Sequence, residues 1–206
     1  MLASDKQKEA SRKSLTGPGA ALLPQGVVAD LLAKNEDLPL FYPMAGYRYR
    51  SQAVMTEDAS SSKQAIALLD HEELTGQPGS RVPHVWLEQE GQRLSTLDLL
   101  DGSFVLLSGP DGAAWHKAAA SVAASLGIKF SAYRVGSDGD FLDLENTWQT
   151  RMGVSAKGAM LVRPDGFVAW RANTLPTNPQ LLLEQVFATI LCRSTAPIPL
   201  EGTKRQ

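Results

Sequence analysis

Apolar positions are scattered over the first ninety or so residues and regularly spaced over the next hundred. From Leu94 the spacing alternates between the strand and helix periods. STLDLL (95–100) predicts a short helical turn started by Ser95 or Thr96, and FVLLSG (104–109) is an unbroken apolar run of buried-strand length. AAWHKAAASVAASLG (113–127) sets Trp115, Ala118, Val122 and Leu126 on one helical stripe and ends at Gly127, a residue suited to a left-handed cap. IKFSAYRVG (128–136) predicts a second strand, and DFLDLENTWQTRMG (140–153) a helix stopping at Gly153. In GAMLVRPDGFVAWRA (158–172) the apolar runs MLV and FVAW flank Arg163-Pro164-Asp165-Gly166, which predicts a hairpin closed by a two-residue Asp-Gly turn. NPQLLLEQVFATILC (178–192) opens with Asn178 as N-cap and Pro179 at the first helical position. Its apolar stripe is Leu182, Leu183, Val186, Phe187, Ile190 and Leu191.

Upstream the pattern is weaker. Residues 1–37 read as a polar N-terminal segment with a short helix at VVADLLA (27–33). Residues 38–93 read as a strand followed by an extended connecting arm. In the strand Tyr47, Tyr49 and Ser51 alternate with Arg48, Arg50 and Gln52, so two rings share a face and the arginines pair with carboxylates or, on the favoured reading, face water. TEDASSSKQ (56–64) has loop composition, and the arm after it is punctuated by Pro78, Gly79 and Pro83, each X-Pro step disfavouring helix. Residues 94–192 form the compact unit, and 193–206 are expected to be a disordered tail. The unit runs strand, helix, strand, helix, antiparallel hairpin, helix. A right-handed crossover makes its first two strands parallel. The expected fold class is therefore α/β: a thioredoxin-like central sheet flanked by helices on both faces, with an extended N-terminal arm.

Composition removes several function classes. The chain has 206 residues, 43% of them hydrophobic, and a net charge of −2 with both signs interspersed. That charge gives no footprint for nucleic acid or an anionic membrane surface. No stretch approaches the ~20 apolar residues that span a bilayer, and the first residues lack the apolar core of a secretory signal. A soluble, cytoplasmic protein is expected. Cys192 is the single cysteine, so no intramolecular disulfide forms; its place on the last helix suggests a small buried apolar residue. His71, His84 and His116 lie far apart without metal-ligand spacing.

The turn SGPDGAAW (108–115) feeds a strand into a helix, a place that can hold phosphate or activate a thiol. It holds no cysteine, and no proline stands near Gly158, where redox-active thioredoxin-like proteins carry a cis-proline before the hairpin. Without a thiolate, disulfide exchange and peroxide reduction lack their nucleophile. The turn is neither GxGxxG nor GxxxxGK[ST], and Asp111 would repel an anion. Asp138, Asp140, Asp143 and Glu145 read as a solvated acidic loop and helix start rather than a calcium loop. No catalytic, cofactor-binding or metal-binding residue is assigned.

PGSRVPHVWL (78–87), STLDLL (95–100) and LVRPDGFVAWR (161–171) together closely resemble the C-terminal thioredoxin-like region of the FAD-dependent aromatic-ring hydroxylases, the phenol hydroxylase and aromatic polyketide hydroxylase group. The resemblance runs from about Leu38 to Leu191. It implies a redox-inactive domain appended to FAD-binding and substrate domains, in enzymes that use FAD and NADPH to hydroxylate a phenolic or polycyclic aromatic. The flavin motifs of that family have no counterpart here, so no cofactor is expected in the isolated chain. The implied partners are FAD-binding and substrate domains, in the same or a separate chain, with a homodimer as a further arrangement. Arg81, His84 and Trp86, on a proline-fixed backbone, are the candidate interdomain contacts. The competing reading is that Trp86 packs on the core and Arg81 meets a local carboxylate. For the chain as a whole, the alternative is a stand-alone, non-catalytic interaction module.

Overall fold

A computed structural model describes residues 47–55, 66–68 and 74–192. The helix expected at 27–33, the loop at 56–64, His71 and the tail at 193–206 lie outside the described residues. In chain order the elements are β1 (Tyr47–Tyr49), β2 (Ile66–Leu68), β3 (Trp86–Gln89), β4 (Gln92–Ser95), a 3-10 turn (Thr96–Leu99), β5 (Phe104–Ser108) and α1 (Ala113–Leu126). They continue with β6 (Phe130–Arg134), β7 (Leu142–Asp143), α2 (Trp148–Met152), β8 (Ala159–Val162), β9 (Val168–Ala172) and α3 (Pro179–Ile190).

The central sheet has the order β6-β5-β8-β9, with β5 and β6 parallel and the remaining pairs antiparallel. That is the thioredoxin-like arrangement. β5 is apolar throughout because it is covered on both faces. Val105 and Leu107 point into one core cluster and Leu106 into the other. On the Leu106 side, α1 contributes Trp115, Ala118 and Val122, and α3 contributes Leu183, Val186, Phe187 and Ile190. Trp115 and Trp170 meet edge to face at 5.6 Å, a geometry worth ~0.5–1.5 kcal/mol beyond the area they bury. Asn178 caps α3 by accepting from Leu181 N–H, and Pro179 occupies its first turn.

The opposite face departs from expectation. Its cover is the short α2 together with β3 and the segment before it, with Val82, Val85, Leu87, Trp148 and Met152 packed on Val105, Leu107 and Met160. The stretch read as an extended arm thus contains a β-hairpin, whose outward residues are polar enough to hide it. Its turn, Glu90-Gly91, has φ of 51° and 79°, and the second of these positions suits glycine. A third strand, β7, joins β3 where a helix was expected. Asn146 is left-handed and Asp143 Oδ2 accepts from Trp148 N–H at 2.8 Å, so helix begins only at Trp148. It stops at Gly153 as expected, where φ is 62° and Thr75 O lies 2.6 Å from where a Cβ would stand.

The β8–β9 hairpin is closed by four residues rather than by Asp-Gly alone. Gly166 N–H returns to Arg163 O, leaving Pro164-Asp165 as the central pair. The free edge of β9 is occupied: Gly79 N–H donates to Val168 O, Val168 N–H to Ser80 O and Met55 N–H to Ala169 O. Arg48, expected in water, is half-buried and donates to Pro78 O at 2.9 Å. The expected turn at 95–100 forms with a complete capping box, Leu97 N–H donating to Ser95 Oγ and Ser95 N–H to Asp98 Oδ2. Buried Thr96 ties it to the arm by accepting from Val85 N–H and donating to Pro83 O.

Candidate functional site

The strand-to-helix turn is closed by its own backbone. Gly109 N–H donates to Gly158 O, Asp111 N–H to Ala156 O and Gly112 N–H to Gly109 O. Trp115, fully buried, donates its indole N–H to Lys157 O at 3.0 Å. The 155–158 loop therefore lies against the turn, with Ala156 O only 2.4 Å from where a Gly109 Cβ would stand. At Gly158, where a redox-active relative would carry proline, a Cβ would stand 2.6 Å from Ala172 O. Three amides that could cradle a pyrophosphate are committed, and Asp111 adds a negative charge. This turn therefore offers none of those three amides to a flavin pyrophosphate.

Near the same turn, His116 Nε2 is buried without a hydrogen-bond partner, 3.6 Å from Asp140 Oδ2, which already accepts from Arg134 N–H at 2.7 Å. Asp140 and Asp143 thus hold backbone amides rather than standing free in water. Cys192 is exposed, with φ of 51°, just past the end of α3. It is not the buried apolar residue expected, because the helix ends at Ile190.

The three predicted contact residues separate. Arg81 turns to the β8–β9 hairpin, where it donates to the Asp165 carbonyl at 3.0 Å and lies 5.2 Å from the Phe167 ring centroid. Its partner is a main-chain carbonyl rather than the carboxylate weighed above. His84 and Trp86 stay together, ring edge to ring face at 4.6 Å. His84 Nδ1 lies 2.6 Å from Ser95 Oγ, and the Arg93 guanidinium stacks 4.1 Å from the Trp86 ring centroid. His84 and Trp86 line a cleft of about 160 Å³ whose other walls include Leu74, Glu145, Thr147 and Arg151. Glu145 is held by Arg93 at 3.4 Å. Arg151 is half-buried, and its guanidinium has no hydrogen-bond or ion-pair partner among the described residues. Sequence reasoning missed Arg151 and Thr147 because nothing local links them to a segment some sixty residues earlier. The pairing of β7 with β3 brings them there.

Among the described residues no group of three His, Cys, Asp or Glu could hold a metal, and no helix is long and apolar enough to cross a membrane. Arg151 and Glu145 bring one charge of each sign to a cleft whose aromatic wall is Trp86.

Comparison with known proteins gives consistent results. The family described as aromatic-ring hydroxylase, C-terminal, matches residues 75–193, more than half of the chain. A tetracenomycin A2 monooxygenase-dioxygenase from Streptomyces glaucescens is 45% identical over 150 residues, covering 73% of this chain and 26% of the relative. A 4-methyl-5-nitrocatechol 5-monooxygenase from a Burkholderia species is 43% identical over 148 residues, covering 72% and 27%. Among solved structures, a ternary complex of aklavinone-11 hydroxylase with FAD and aklavinone superposes with a TM-score of 0.69 at 38% identity, covering 80% of this chain and 30% of that one. The chain spans about a quarter of the length of the curated relatives it matches.

Proposed function

This chain belongs to the family of aromatic-ring hydroxylase C-terminal domains, and from that premise we propose that it is the structural C-terminal portion of an FAD-dependent aromatic-ring monooxygenase. In this reading the complete enzyme uses FAD and NADPH to hydroxylate a phenolic or polyketide-type aromatic. The FAD-binding and substrate domains belong to the same or a separate chain. A cytoplasmic setting suits a protein with one cysteine and an NADPH-dependent partner. The flavin supplies the oxygen chemistry in such enzymes, and protein around it supplies position and electrostatics.

The observation that carries the structural role is the sealed turn before α1. Its amides are spent on Ala156, Gly158 and Gly109, so the helix start that serves ligands in other folds here serves packing. The test uses the 206-residue chain beside a chimaera in which it replaces the matching C-terminal region of the aklavinone-11 hydroxylase. The chain alone is expected to retain no FAD and oxidise no NADPH. The chimaera is expected to retain FAD and oxidise NADPH in the presence of aklavinone. Tight flavin binding by the chain alone would overturn the structural role. A chimaera that folds without retaining FAD would instead favour a stand-alone interaction module.

A further inference from the structure

We propose that the cleft beside Trp86 and the exposed leucines in and just after β7 form the face on which the flavin-bearing body seats, with Arg151 receiving a carboxylate from that body. The inference rests on the function proposed above and identifies the contact surface. It replaces Arg81, whose guanidinium is committed to the Asp165 carbonyl and the Phe167 ring, with Arg151.

Three observations converge on this face. An arginine whose stem is packed and whose guanidinium has no partner is placed to receive a carboxylate as a charge-assisted pair. Arg151 is such a residue, its nitrogens still reaching solvent, and the carboxylate in the cleft wall, Glu145, is held by Arg93. Next, Leu142 and Leu144 are 42% and 40% exposed. Leu142 stands opposite Glu88 across the β3–β7 pair, and Leu144, just past β7, donates its N–H to the Trp86 carbonyl at 3.3 Å. Finally, an aromatic ring, an arginine and exposed aliphatics around a small recess have the composition of an interface centre.

The size of the recess and the family relationship select the occupant. A recess of about 160 Å³ is room for one side chain. In the aklavinone-11 hydroxylase the matching region is 30% of a single chain, so the remaining 70% of that chain is covalently adjacent to it. A surface Asp or Glu on such a body would complement Arg151, while the leucines lose water against apolar neighbours.

The test follows amide hydrogen exchange at residues 84–87 and 142–151 in the chimaera and in the isolated chain. Exchange in the FAD-loaded chimaera is expected to slow at least tenfold at these positions. Arg151→Glu should restore much of the fast exchange and lower FAD retention, whereas Arg151→Lys should keep most of the protection. The isolated Arg151→Glu chain should melt with the parent, which separates lost docking from lost folding. An active, FAD-loaded chimaera with unchanged exchange would overturn this face and leave the proposed function standing. Protection that appears in the isolated chain as its concentration rises would make a second copy the occupant and overturn the proposal. A folded chimaera without FAD would remove the proposed function and the docking partner with it.

Discussion

At the residue scale, polar side chains in this protein mostly tie backbone segments together. Ser95 and Asp98 bond amides of their own turn and Asp143 the first amide of α2, while Thr96 and Trp115 bond main-chain groups of distant segments, where an unpaired buried group would cost ~1–3 kcal/mol. Asp101 has a carboxyl held low by its neighbours. A hydrogen bond from Lys129, with further bonds from Ser103, lowers its pKa to about 2 from an ordinary value of about 3.9. Because the folded value is the lower one, its stabilisation is present above the unfolded pKa and is lost as pH falls towards 2. Urea midpoints measured between about pH 4 and pH 2 should therefore fall more steeply for the parent than for Asp101→Asn. Added salt should narrow the difference, since the pair is exposed.

Among the elements, the hairpin of β3 and β4 is the least obvious and the most consequential. Alternation along it is masked, because Trp86 and Glu88 on the outward face interleave with a single deeply buried residue, Leu87. The turn that makes it is a Glu-Gly pair in the left-handed region. Glutamate is strained there and asparagine adopts that conformation more readily. Glu90→Asn should accordingly raise stability by about 0.5 kcal/mol in chemical denaturation, with no change in the slope of the transition. In α2 the same kind of local signal gave the right end and the wrong start. Gly153 stops the helix, whereas the left-handed Asn146 and the Asp143 cap delay it.

For the whole molecule, the arm is part of the core. Val82, Val85 and Leu87 are buried against β5 and β8, and burying three such side chains is worth roughly 5 kcal/mol, comparable with the whole net stability of a small domain. Residues 79–82 also occupy the edge of β9, which would otherwise be open to pairing with another chain. A chain beginning at Leu94 should therefore be unfolded or aggregated, as read by circular dichroism and gel filtration beside the full chain. A monomeric, cooperatively melting product would show that the arm is dispensable.

The sequence by itself determined the elements whose signals are local. α1 and α3 carry their own apolar stripes and end signals, β5 is a continuous apolar run, and the turn at 95–100 has its capping box written into Ser95 and Asp98. The absence of any cysteine from the turn at 108–115 was equally legible. Only the tertiary structure decided what covers the second face of the sheet and where the predicted contact residues go. Arg81 and Trp86 are five residues apart, yet one meets the β8–β9 hairpin and the other a cleft completed by Arg151. Such pairings depend on strand register across long sequence separations, and no local spacing encodes them.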